Sequence, residues 1–245
     1  MREYGLIGYP LTHSFSQKYF TEKFVKEGID DAVFHAFSLP RITDLEGVLK
    51  EHPGLRGFAV TIPYKRAVIN YLTDVTDAVN SMQACNCVKI EGDRLTGFNT
   101  DVVGFEMSFV KHLRPHHTKA LILGTGGAAS AVEFALDKLH ISFKFVSRTA
   151  DAAKGIIGYE DVTPQMVKEY PVIINCTPLG TYPKTEEAPP IPYNALTPGN
   201  YLFDLVYNPP LTMFLQFGRD KGATIQNGYD MLVLQAEENW KIWNG

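Results

Sequence analysis

Short apolar runs alternate along the chain with longer segments whose apolar residues recur at helical spacing. The short runs predict strands at Tyr4–Gly8, Val33–Ser38, Gly57–Thr61, Ala120–Leu123, Phe143–Ser147, Val172–Asn175 and Tyr201–Tyr207. The longer segments predict helices at Gln17–Gly28, Ile42–His52, Val102–His112, in the segment that ends near Leu139, and at Tyr229–Trp243. Because strands that alternate with helices pair as parallel neighbours, the pattern predicts an α/β fold with helices on both faces of its sheets.

Two segments depart from this alternation. Cys85–Ile90 and Arg94–Gly97 flank the sequence EGD, which predicts a β-hairpin with a tight turn. Pro183–Pro198 is rich in proline and glutamate, and we expect it to form a mobile surface loop.

The chain also shows signs of a division into domains. The strand–helix pattern restarts after the sequence RPHHT, so Arg114–Thr118 is a candidate boundary. The last predicted helix has one apolar stripe, formed by Leu232, Ala236, Trp240 and Trp243. Such a stripe predicts that the helix buries one face against another element.

Composition narrows the class of protein. Of the 245 residues 45% are hydrophobic and 20% are charged, which is ordinary for a globular protein. A net charge of −4 provides no basic field for nucleic acid or for an anionic membrane. The apolar stretch Ala120–Val132 is too short to span a bilayer, and MREYGLIGYP has no export signal, so we expect a cytoplasmic protein.

The three cysteines, Cys85, Cys87 and Cys176, offer one C-x-C pair and no second cluster. Zinc needs three or four ligands, so this pair is a weak signal for a metal site. We expect reduced cysteines in the core and no metal.

The turn after the strand Ala120–Leu123 has the spacing G-x-G-x-x-A, with Gly124, Gly126 and Ala129 directly before a helix. The first glycine permits a tight turn, the second lets the backbone approach a pyrophosphate, and the alanine allows close packing of helix and strand. The amino end of the helix offers free N–H groups to phosphates. The alternative is a turn that binds nothing, but the flanking strands favour dinucleotide binding.

The end of the next strand predicts which dinucleotide is bound. An NAD site usually has Asp or Glu about 20 residues beyond the glycines, to bind the ribose hydroxyl. Here that place is taken by Ser147, Arg148 and Thr149. Because an arginine there pairs with a 2′-phosphate, the sequence favours NADP over NAD. The ordinary alternative is a surface arginine at a strand end.

Polar residues in the first half gather where strands end and helices begin. Ser14 and Ser16 precede the first predicted helix, where serine either caps the helix or binds a carboxylate. Thr61 and Lys65 follow a strand, and open α/β sheets bind ligands at the carboxyl ends of strands. Asp101 precedes a helix, where aspartate is normally a cap. Taken alone, each has a simple structural explanation.

Taken together, the motifs resemble those of one family. HSFS, VTIPYK, CNCV, GFNTDVVGF, LGTGGAAS, SRT, NCTPLG, DLVYNP and NGYDMLVLQA stand in the order found in shikimate dehydrogenases, from about Tyr4 to Trp240. The resemblance implies an N-terminal α/β substrate domain over residues 1–100 and a Rossmann-type, doubly wound NADP-binding domain over 101–225. It also implies a C-terminal helix, 226–245, that packs back on the substrate domain.

The same resemblance implies an activity. The enzyme would reversibly reduce 3-dehydroshikimate to shikimate with NADPH, in aromatic amino-acid biosynthesis. Its partners would be this small molecule and the cofactor, without nucleic acid or membrane, and it would be a monomer or weak dimer. Two alternatives stay open, a quinate/shikimate dehydrogenase that prefers NAD and a catalytically silent nucleotide-binding sensor.

Carried over motif by motif, the resemblance implies a role for each site residue. Lys65 would be the catalytic acid and base, with Asp101 orienting it. The substrate would be bound by Ser14, Ser16, Thr61, Asn86, Tyr207 and Gln235, of which the serines and the tyrosine hold its carboxylate. NADP would be bound by Asp77, Gly124, Thr125, Gly126, Gly127, Ala128, Arg148, Thr149, Leu205 and Gly228.

The chain departs from the family pattern at two positions. Members usually have proline after the second serine and a basic residue three places beyond the threonine of SRT, where this chain has Gln17 and Ala152. The segment 150–160 is also too short for the usual helix, so we expect a more open adenosine side. Losing the second basic residue weakens the case for a strong NADP preference, unless Lys154 compensates.

Overall fold

A computed structural model of the chain describes residues 1–11 and 15–245. The strands cover Arg2–Gly8 (β1), Ala32–Ser38 (β2), Leu55–Val60 (β3), Asp74–Val75 (β4), Cys87–Glu91 (β5), Arg94–Phe98 (β6), Lys119–Leu123 (β7), Ser142–Ser147 (β8), Ile157–Gly158 (β9), Val172–Asn175 (β10), Tyr201–Asp204 (β11) and Thr224–Gln226 (β12). The α-helices cover Phe15–Glu27 (α1), Leu45–Glu51 (α2), Asp77–Met82 (α3), Thr100–Phe109 (α4), Gly127–Lys138 (α5), Pro164–Glu169 (α6), Met213–Asp220 (α7) and Tyr229–Asn244 (α8). None of these helices, in the described part of the chain, is both long and apolar enough to cross a membrane.

The chain divides into two compact units, which do not follow all the predicted boundaries. The first unit is Met1–Thr100 with Ala236–Gly245, and the second is Asp101–Gln235. The division therefore precedes Arg114–Thr118, because α4 packs with the second unit through the ring of Phe109, stacked 5.2 Å from Tyr201. The predicted C-terminal piece 226–245 is likewise split, since α8 crosses the division at Gln235.

The sheet of the first unit is mixed, where the alternation predicted parallel pairing. Its order is β2-β1-β3-β5-β6-β4. The strands β1, β2 and β3 are parallel, but β5 pairs antiparallel with both β3 and β6. The pairing of β5 with β6 follows from the predicted hairpin, which reverses the chain at Gly92, a residue with φ of +61°.

Alternate residues of these strands enter two different cores. Ile7, Phe58 and Val88 belong to one cluster, which Leu45 and Val68 also join. Their strand neighbours belong to a second cluster that contains residues of α1 and α8, namely Tyr4, Leu6, Ala59, Cys87, Phe20, Phe24, Ala236 and Trp243. The period of two along each strand thus gives the sheet two buried faces.

Trp243 is the anchor of α8 in this unit. Its side chain is 3% exposed, its ring stacks on Tyr4 with centroids 5.2 Å apart, and its Nε1 donates to the carbonyl of Val88 at 3.0 Å. The indole lies directly over Gly57, where a Cβ atom would come within 2.2 Å of the ring. The absence of a side chain at Gly57 is therefore what admits the tryptophan.

The sheet of the second unit is parallel throughout, with the order β12-β11-β10-β7-β8-β9. Counted within the unit this is the order 3-2-1-4-5-6 of a dinucleotide-binding sheet. The chain leaves β7 toward β8 and leaves β10 toward β11, so the direction of the connections changes between β7 and β10. This is the switch point at which such sheets open a crevice.

Several elements differ from the periodicity-based predictions. The helix predicted at Ile42–His52 begins as a 3₁₀ turn over Ile42–Asp44, and the residues after α4 form another. The short helices α6 and α7 were not predicted, although both begin at threonine caps. Thr163 Oγ1 accepts from the N–H of Met166 and Thr212 Oγ1 from that of Leu215.

Part of the segment Pro183–Pro198 is buried, where its composition predicted a mobile surface loop. Ile191 and Leu196 are 7% and 5% exposed and belong to the core cluster of the second unit. Tyr193 Oη donates to the carbonyl of Pro189 at 2.6 Å, which holds the segment in a compact turn. Proline here restricts the chain, and two apolar side chains then anchor it in the core.

Replacing Gly57 by alanine is expected to destabilise the first unit by about 1–3 kcal/mol, because the new Cβ would collide with Trp243. The matched control is Gly47→Ala in α2, where a Cβ meets nothing within 4 Å and the free energy of unfolding is expected to rise by about 0.5–1 kcal/mol. Both tryptophans, Trp240 and Trp243, lie in this unit, so urea denaturation followed by tryptophan fluorescence measures the change. Equal stability of the two variants would contradict the close packing at Gly57.

Candidate functional site

The turn between β7 and α5 has the geometry that a phosphate-binding turn needs. Gly124 has a φ of +102°, a conformation that other residues rarely adopt, and its N–H donates to the carbonyl of Val146 at 2.8 Å. Gly126 is the cap residue of α5, and at Gly126 and Gly127 a Cβ would meet nothing within 4 Å. The space in front of the first amides of α5 is therefore open to a ligand.

A cavity of about 270 Å³ lies at this turn, at the switch point of the second sheet. It is lined by residues at the ends of four neighbouring strands, β10, β7, β8 and β9, namely Gly124, Thr125, Gly126, Ser147, Arg148, Tyr159, Cys176, Thr177, Pro178 and Leu179. Four predicted cofactor residues thus meet in one cavity. The segment Cys176–Leu179 was not predicted, although it follows β10, the strand next to β7.

Tyr159 is one of the residues that line this cavity, and the more open adenosine side stays a prediction. The two-residue strand β9 pairs with β8 so that Gly158 lies opposite Ser147, and Tyr159 follows beside Arg148. Its hydroxyl oxygen is buried and has no hydrogen-bond partner among the described residues. Burial raises the pKa of Tyr159 to about 12, against the opposing effect of the nearby Arg148 charge. A buried donor beside an arginine fits an anionic or hydroxylated ligand.

A buried polar network holds the loops behind the cavity. The carboxylate of Asp204 is fully buried and accepts from Asn175 Nδ2 at 2.9 Å, Thr212 Oγ1 at 2.5 Å and the N–H of Val206 at 3.0 Å. Asn175 Oδ1 in turn accepts from the N–H of Thr177 at 3.0 Å. Burial raises the pKa of Asp204 to about 6, although the three hydrogen bonds lower it. The network fixes both Thr177, which lines the cavity, and the loop after β11.

The loop after β11 brings two more predicted cofactor residues together. A Cβ at Gly228 would lie 2.2 Å from the carbonyl oxygen of Leu205, so only glycine allows this approach. The N–H of Gly228 donates to the carbonyl of Val206 at 3.2 Å. Tyr207, a predicted substrate residue, lies in the same loop and is 38% exposed.

The other predicted cofactor residues are exposed, apart from Ala128, which is half-buried. Ala128 is in the first turn of α5, and Thr149 is exposed beside Arg148, with its N–H 3.5 Å from Ser147 Oγ. Asp77, in the first unit, is exposed in the first turn of α3, a favourable position for a carboxylate at any helix amino end.

Asp101 and Gln235 lie on two helices of the second unit that pack very closely. Asp101 is in the first turn of α4, and at Gly104, one turn later, a Cβ would be 2.5 Å from the carbonyl oxygen of Met231 in α8. The same Cβ would lie 3.1 Å from the Cβ of Gln235. Gln235 is 7% exposed and its Nε2 donates to the carbonyl of Leu232 at 2.9 Å.

In the first unit the predicted residues follow the carboxyl ends of strands. Thr61 comes directly after β3, and its N–H donates to the carbonyl of Ile7 in β1 at 3.0 Å. Lys65 is half-buried, and its carbonyl accepts from the N–H of Cys85 at 2.7 Å. Ser16 is half-buried in the first turn of α1, whereas Ser14 lies outside the described residues.

Asn86 is held by a network that local motifs did not reveal. Its side chain is 3% exposed, its Oδ1 accepts from the N–H of Thr100 at 2.7 Å, and its Nδ2 donates to Thr100 Oγ1 at 3.1 Å. Thr100 Oγ1 donates to Asn239 Oδ1 at 2.6 Å, while Asn99 Nδ2 donates to the carbonyl of Ala84 at 2.8 Å. The second Nδ2 hydrogen of Asn86 leaves it capable of one further bond to a ligand.

Comparison with known proteins assigns these features to one family. Residues 6–88 match the family model described as the shikimate dehydrogenase substrate binding domain. The shikimate dehydrogenase (NADP(+)) of Caldanaerobacter subterraneus subsp. tengcongensis is 34% identical over 99% of this chain and 91% of its own length.

Two solved structures are similar over 100% of this chain. The shikimate 5-dehydrogenase of Thermus thermophilus, in complex with NADP(H) and shikimate, has a TM-score of 0.86, 30% identity and 94% coverage of its own length. That of Listeria monocytogenes, in complex with shikimate and NAD, has a TM-score of 0.89, 26% identity and 92% coverage.

The buried carboxyl of Asp204 predicts a measurable pH dependence of stability. Between about pH 4 and pH 6 the folded state retains a proton that the unfolded chain has released, so this group lowers the free energy of unfolding by up to about 1.4 kcal/mol per pH unit as the pH rises. Asp204→Asn is expected to remove that slope, measured by urea denaturation with circular dichroism from pH 4 to 7. Asp220→Asn, an exposed aspartate on α7, is the control and is expected to keep it. An unchanged slope in Asp204→Asn would rule out a raised pKa.

Proposed function

The chain belongs to the shikimate dehydrogenase family, and we propose that it catalyses the reversible, NADPH-dependent reduction of 3-dehydroshikimate to shikimate. The observation that carries the proposal is the cavity at the switch point, where the glycine turn meets Arg148. The first unit, which contains the matched substrate binding domain, is assigned to the substrate, and the second to the cofactor. Its place in the cytoplasm and its state as a monomer or weak dimer remain predictions.

The residues of the cavity fit NADP. The open space before α5 suits the pyrophosphate, and the bare backbone at Gly126 and Gly127 allows it to come close to the helix amides. Arg148, together with the unpartnered hydroxyl of Tyr159, offers a cation and a donor to the 2′-phosphate. Tyr159 would thus supply part of what the missing basic residue at Ala152 supplies in relatives. When bound, NADPH provides the hydride.

The substrate is a hydroxylated ring that carries a carboxylate, and we assign its two ends to different residues. Hydroxyls of Ser14, Ser16 and Tyr207 would donate to the carboxylate, with the amino end of α1 adding a favourable dipole. Thr61, Asn86 and Gln235 would bind the ring hydroxyls. Asn86 is the best prepared of these, because its network fixes the side chain before a ligand arrives.

Lys65 is proposed as the acid that protonates the carbonyl oxygen during reduction and as the base that removes the hydroxyl proton in the reverse direction. Asp101 is proposed to orient this side chain and to accept a hydrogen bond from the substrate. Lys65 lies on a segment pinned by its own backbone, through the bond between its carbonyl and Cys85. This bond fixes the backbone from which the Lys65 side chain extends, and proton transfer in the transition state requires that side chain to be positioned.

Removing Lys65 is expected to lower kcat by roughly 10²–10⁴, the scale of general acid–base catalysis, while changing the KM for shikimate far less. The matched control is Arg66→Ala, which removes the neighbouring, exposed cation and is expected to leave kcat within about twofold. Steady-state kinetics of shikimate oxidation measures both. If Lys65→Ala raised KM alone, Lys65 would be a binding residue and not the acid.

For the cofactor, we expect the wild-type enzyme to oxidise shikimate with a higher kcat/KM for NADP than for NAD. Arg148→Ala is expected to lower kcat/KM for NADP by about 10–100-fold and to leave that for NAD nearly unchanged, because only NADP carries the 2′-phosphate. Tyr159→Phe is expected to raise the KM for NADP by about 2–10-fold without loss of stability, since it removes an unpartnered buried hydroxyl. The change in absorbance of the reduced nicotinamide provides the measurement.

Tyr193→Phe is the control for the second variant, because the Tyr193 hydroxyl already has a partner in Pro189. Tyr193→Phe is expected to lose about 1 kcal/mol of stability and to leave the KM for NADP unchanged.

Two outcomes would identify the alternative functions. A wild-type enzyme that prefers NAD and quinate would be a quinate/shikimate dehydrogenase. NADPH binding with no turnover of dehydroshikimate would identify a nucleotide-binding sensor.

A further inference from the structure

A cluster of two histidines and a glutamate lies in the first unit, away from the residues assigned to the substrate. Glu3 is near the amino end of β1, His35 is in β2, and His52 directly follows α2 and precedes β3. Thr61 follows the carboxyl end of β3, whereas Glu3 and His52 lie toward the amino ends of β1 and β3, and His35 lies in the middle of β2. None of its members has a part in the proposed reaction.

The three side chains converge on one point. Glu3 Oε2 lies 2.6 Å from His52 Nδ1 and 3.1 Å from His35 Nε2, and the three ligand atoms are all within 4.8 Å of one another. In the described part of the chain this is the one such group of three histidine, cysteine or acidic side chains. Each is roughly three-quarters buried, so the carboxylate and the imidazoles are largely withdrawn from bulk water.

One nitrogen of the cluster lacks a hydrogen bond. His35 Nε2 is buried and has no hydrogen-bond partner among the described residues, although Glu3 Oε2 is at ion-pair distance. The contact between them therefore has the distance of a close pair but not the alignment of an N–H donor with its acceptor. An imidazole nitrogen and a carboxylate oxygen that lie this close without a well-aligned hydrogen bond have the arrangement of two ligands of one ion.

The surroundings hold the three side chains in place. The ring of Phe37 lies 4.9 Å from His52 and 5.5 Å from His35, centroid to centroid. Gly54 leaves room for the other carboxylate oxygen, since a Cβ there would lie 2.9 Å from Glu3 Oε1. The hydrogen bond from His52 and the nearby imidazoles lower the pKa of Glu3, against the effect of burial, so the carboxylate is ionised at neutral pH.

We propose that Glu3, His35 and His52 form a structural site for a divalent transition-metal ion of the zinc class. Two imidazole nitrogens and one carboxylate oxygen form a common zinc ligand set, and water completes the coordination. Zinc–ligand bonds of about 2.0–2.2 Å at tetrahedral angles place the ligand atoms about 3.3–3.6 Å apart. Glu3 Oε2 and His35 Nε2 are already close to that separation at 3.1 Å, whereas a bound ion requires the 2.6 Å contact between Glu3 and His52 to widen. The ion would join β1, β2 and the segment between α2 and β3.

The test is zinc binding to the full-length protein after treatment with a chelator and dialysis. Isothermal titration with ZnCl₂ is expected to give one site per chain, and a zinc concentration a hundredfold above Kd is expected to raise Tm by about 5–10 °C. His35→Gln and His52→Gln are each expected to weaken binding more than about tenfold. His140→Gln, an exposed histidine of the second unit, is the matched control and is expected to bind as the wild type does.

Two further measurements distinguish a metal site from a cluster held by hydrogen bonds alone. Co²⁺ added in place of zinc is expected to produce visible absorption bands of low-symmetry coordination in the wild type and in His140→Gln, but not in His35→Gln. Zinc binding that persists unchanged in His35→Gln and His52→Gln, or a protein that binds no zinc at all, would overturn the proposal and leave a hydrogen-bonded cluster only. Shikimate oxidation is expected to be equal in wild type and His35→Gln, so the result is independent of the proposed function.

Discussion

The change of direction between β7 and β10 is the constraint on which the cofactor cavity depends. These strands are hydrogen-bonded neighbours, but the chain leaves one toward β8 and the other toward β11. Their connections diverge and cannot fill the space beyond the strand ends. Gly124 completes the opening because its positive φ turns the backbone at the end of β7, and a side chain there would come within 2.9 Å of Thr177.

Buried polar side chains fix the loops beside this opening and at the ends of strands in the first sheet. Asp204 links the ends of β10 and β11 through Asn175 and Thr212. In the first unit Asn86 is also buried, and it is linked through Thr100 to Asn239. Burying such groups is costly unless they are hydrogen-bonded, and each is bonded here to residues distant in sequence. The networks therefore exist only in the folded chain, where they hold loops that carry proposed ligand-binding residues.

Much of the architecture could be predicted from the local pattern of apolar and polar residues. Four strands of the second unit, β7, β8, β10 and β11, were predicted to within a few residues, because a buried parallel strand is a nearly continuous apolar run. The short edge strands β9 and β12 were not predicted. The antiparallel pairing of β5 with β6 was predicted as a hairpin, whereas the antiparallel pairing of β5 with β3 was not predicted. The short helices α6 and α7 were not predicted, because one or two turns are too short to show a helical period of apolar residues. Their first residues are nevertheless marked by the threonine caps Thr163 and Thr212. The buried part of Pro183–Pro198 was not predicted, because proline and glutamate dominate the composition of the segment. Its packing is determined by Ile191 and Leu196, which lie in the core.

By itself, the amino-acid sequence determined the fold class, the family and the glycine turn, because strand periodicity and backbone freedom are properties of adjacent residues. Only the tertiary structure placed Tyr159 beside Arg148, since that depends on the register of the two-residue strand β9. It alone joined Glu3 to His52, 49 positions apart. Such contacts follow from how strands align and pack in three dimensions, and no pattern of neighbouring residues encodes that alignment.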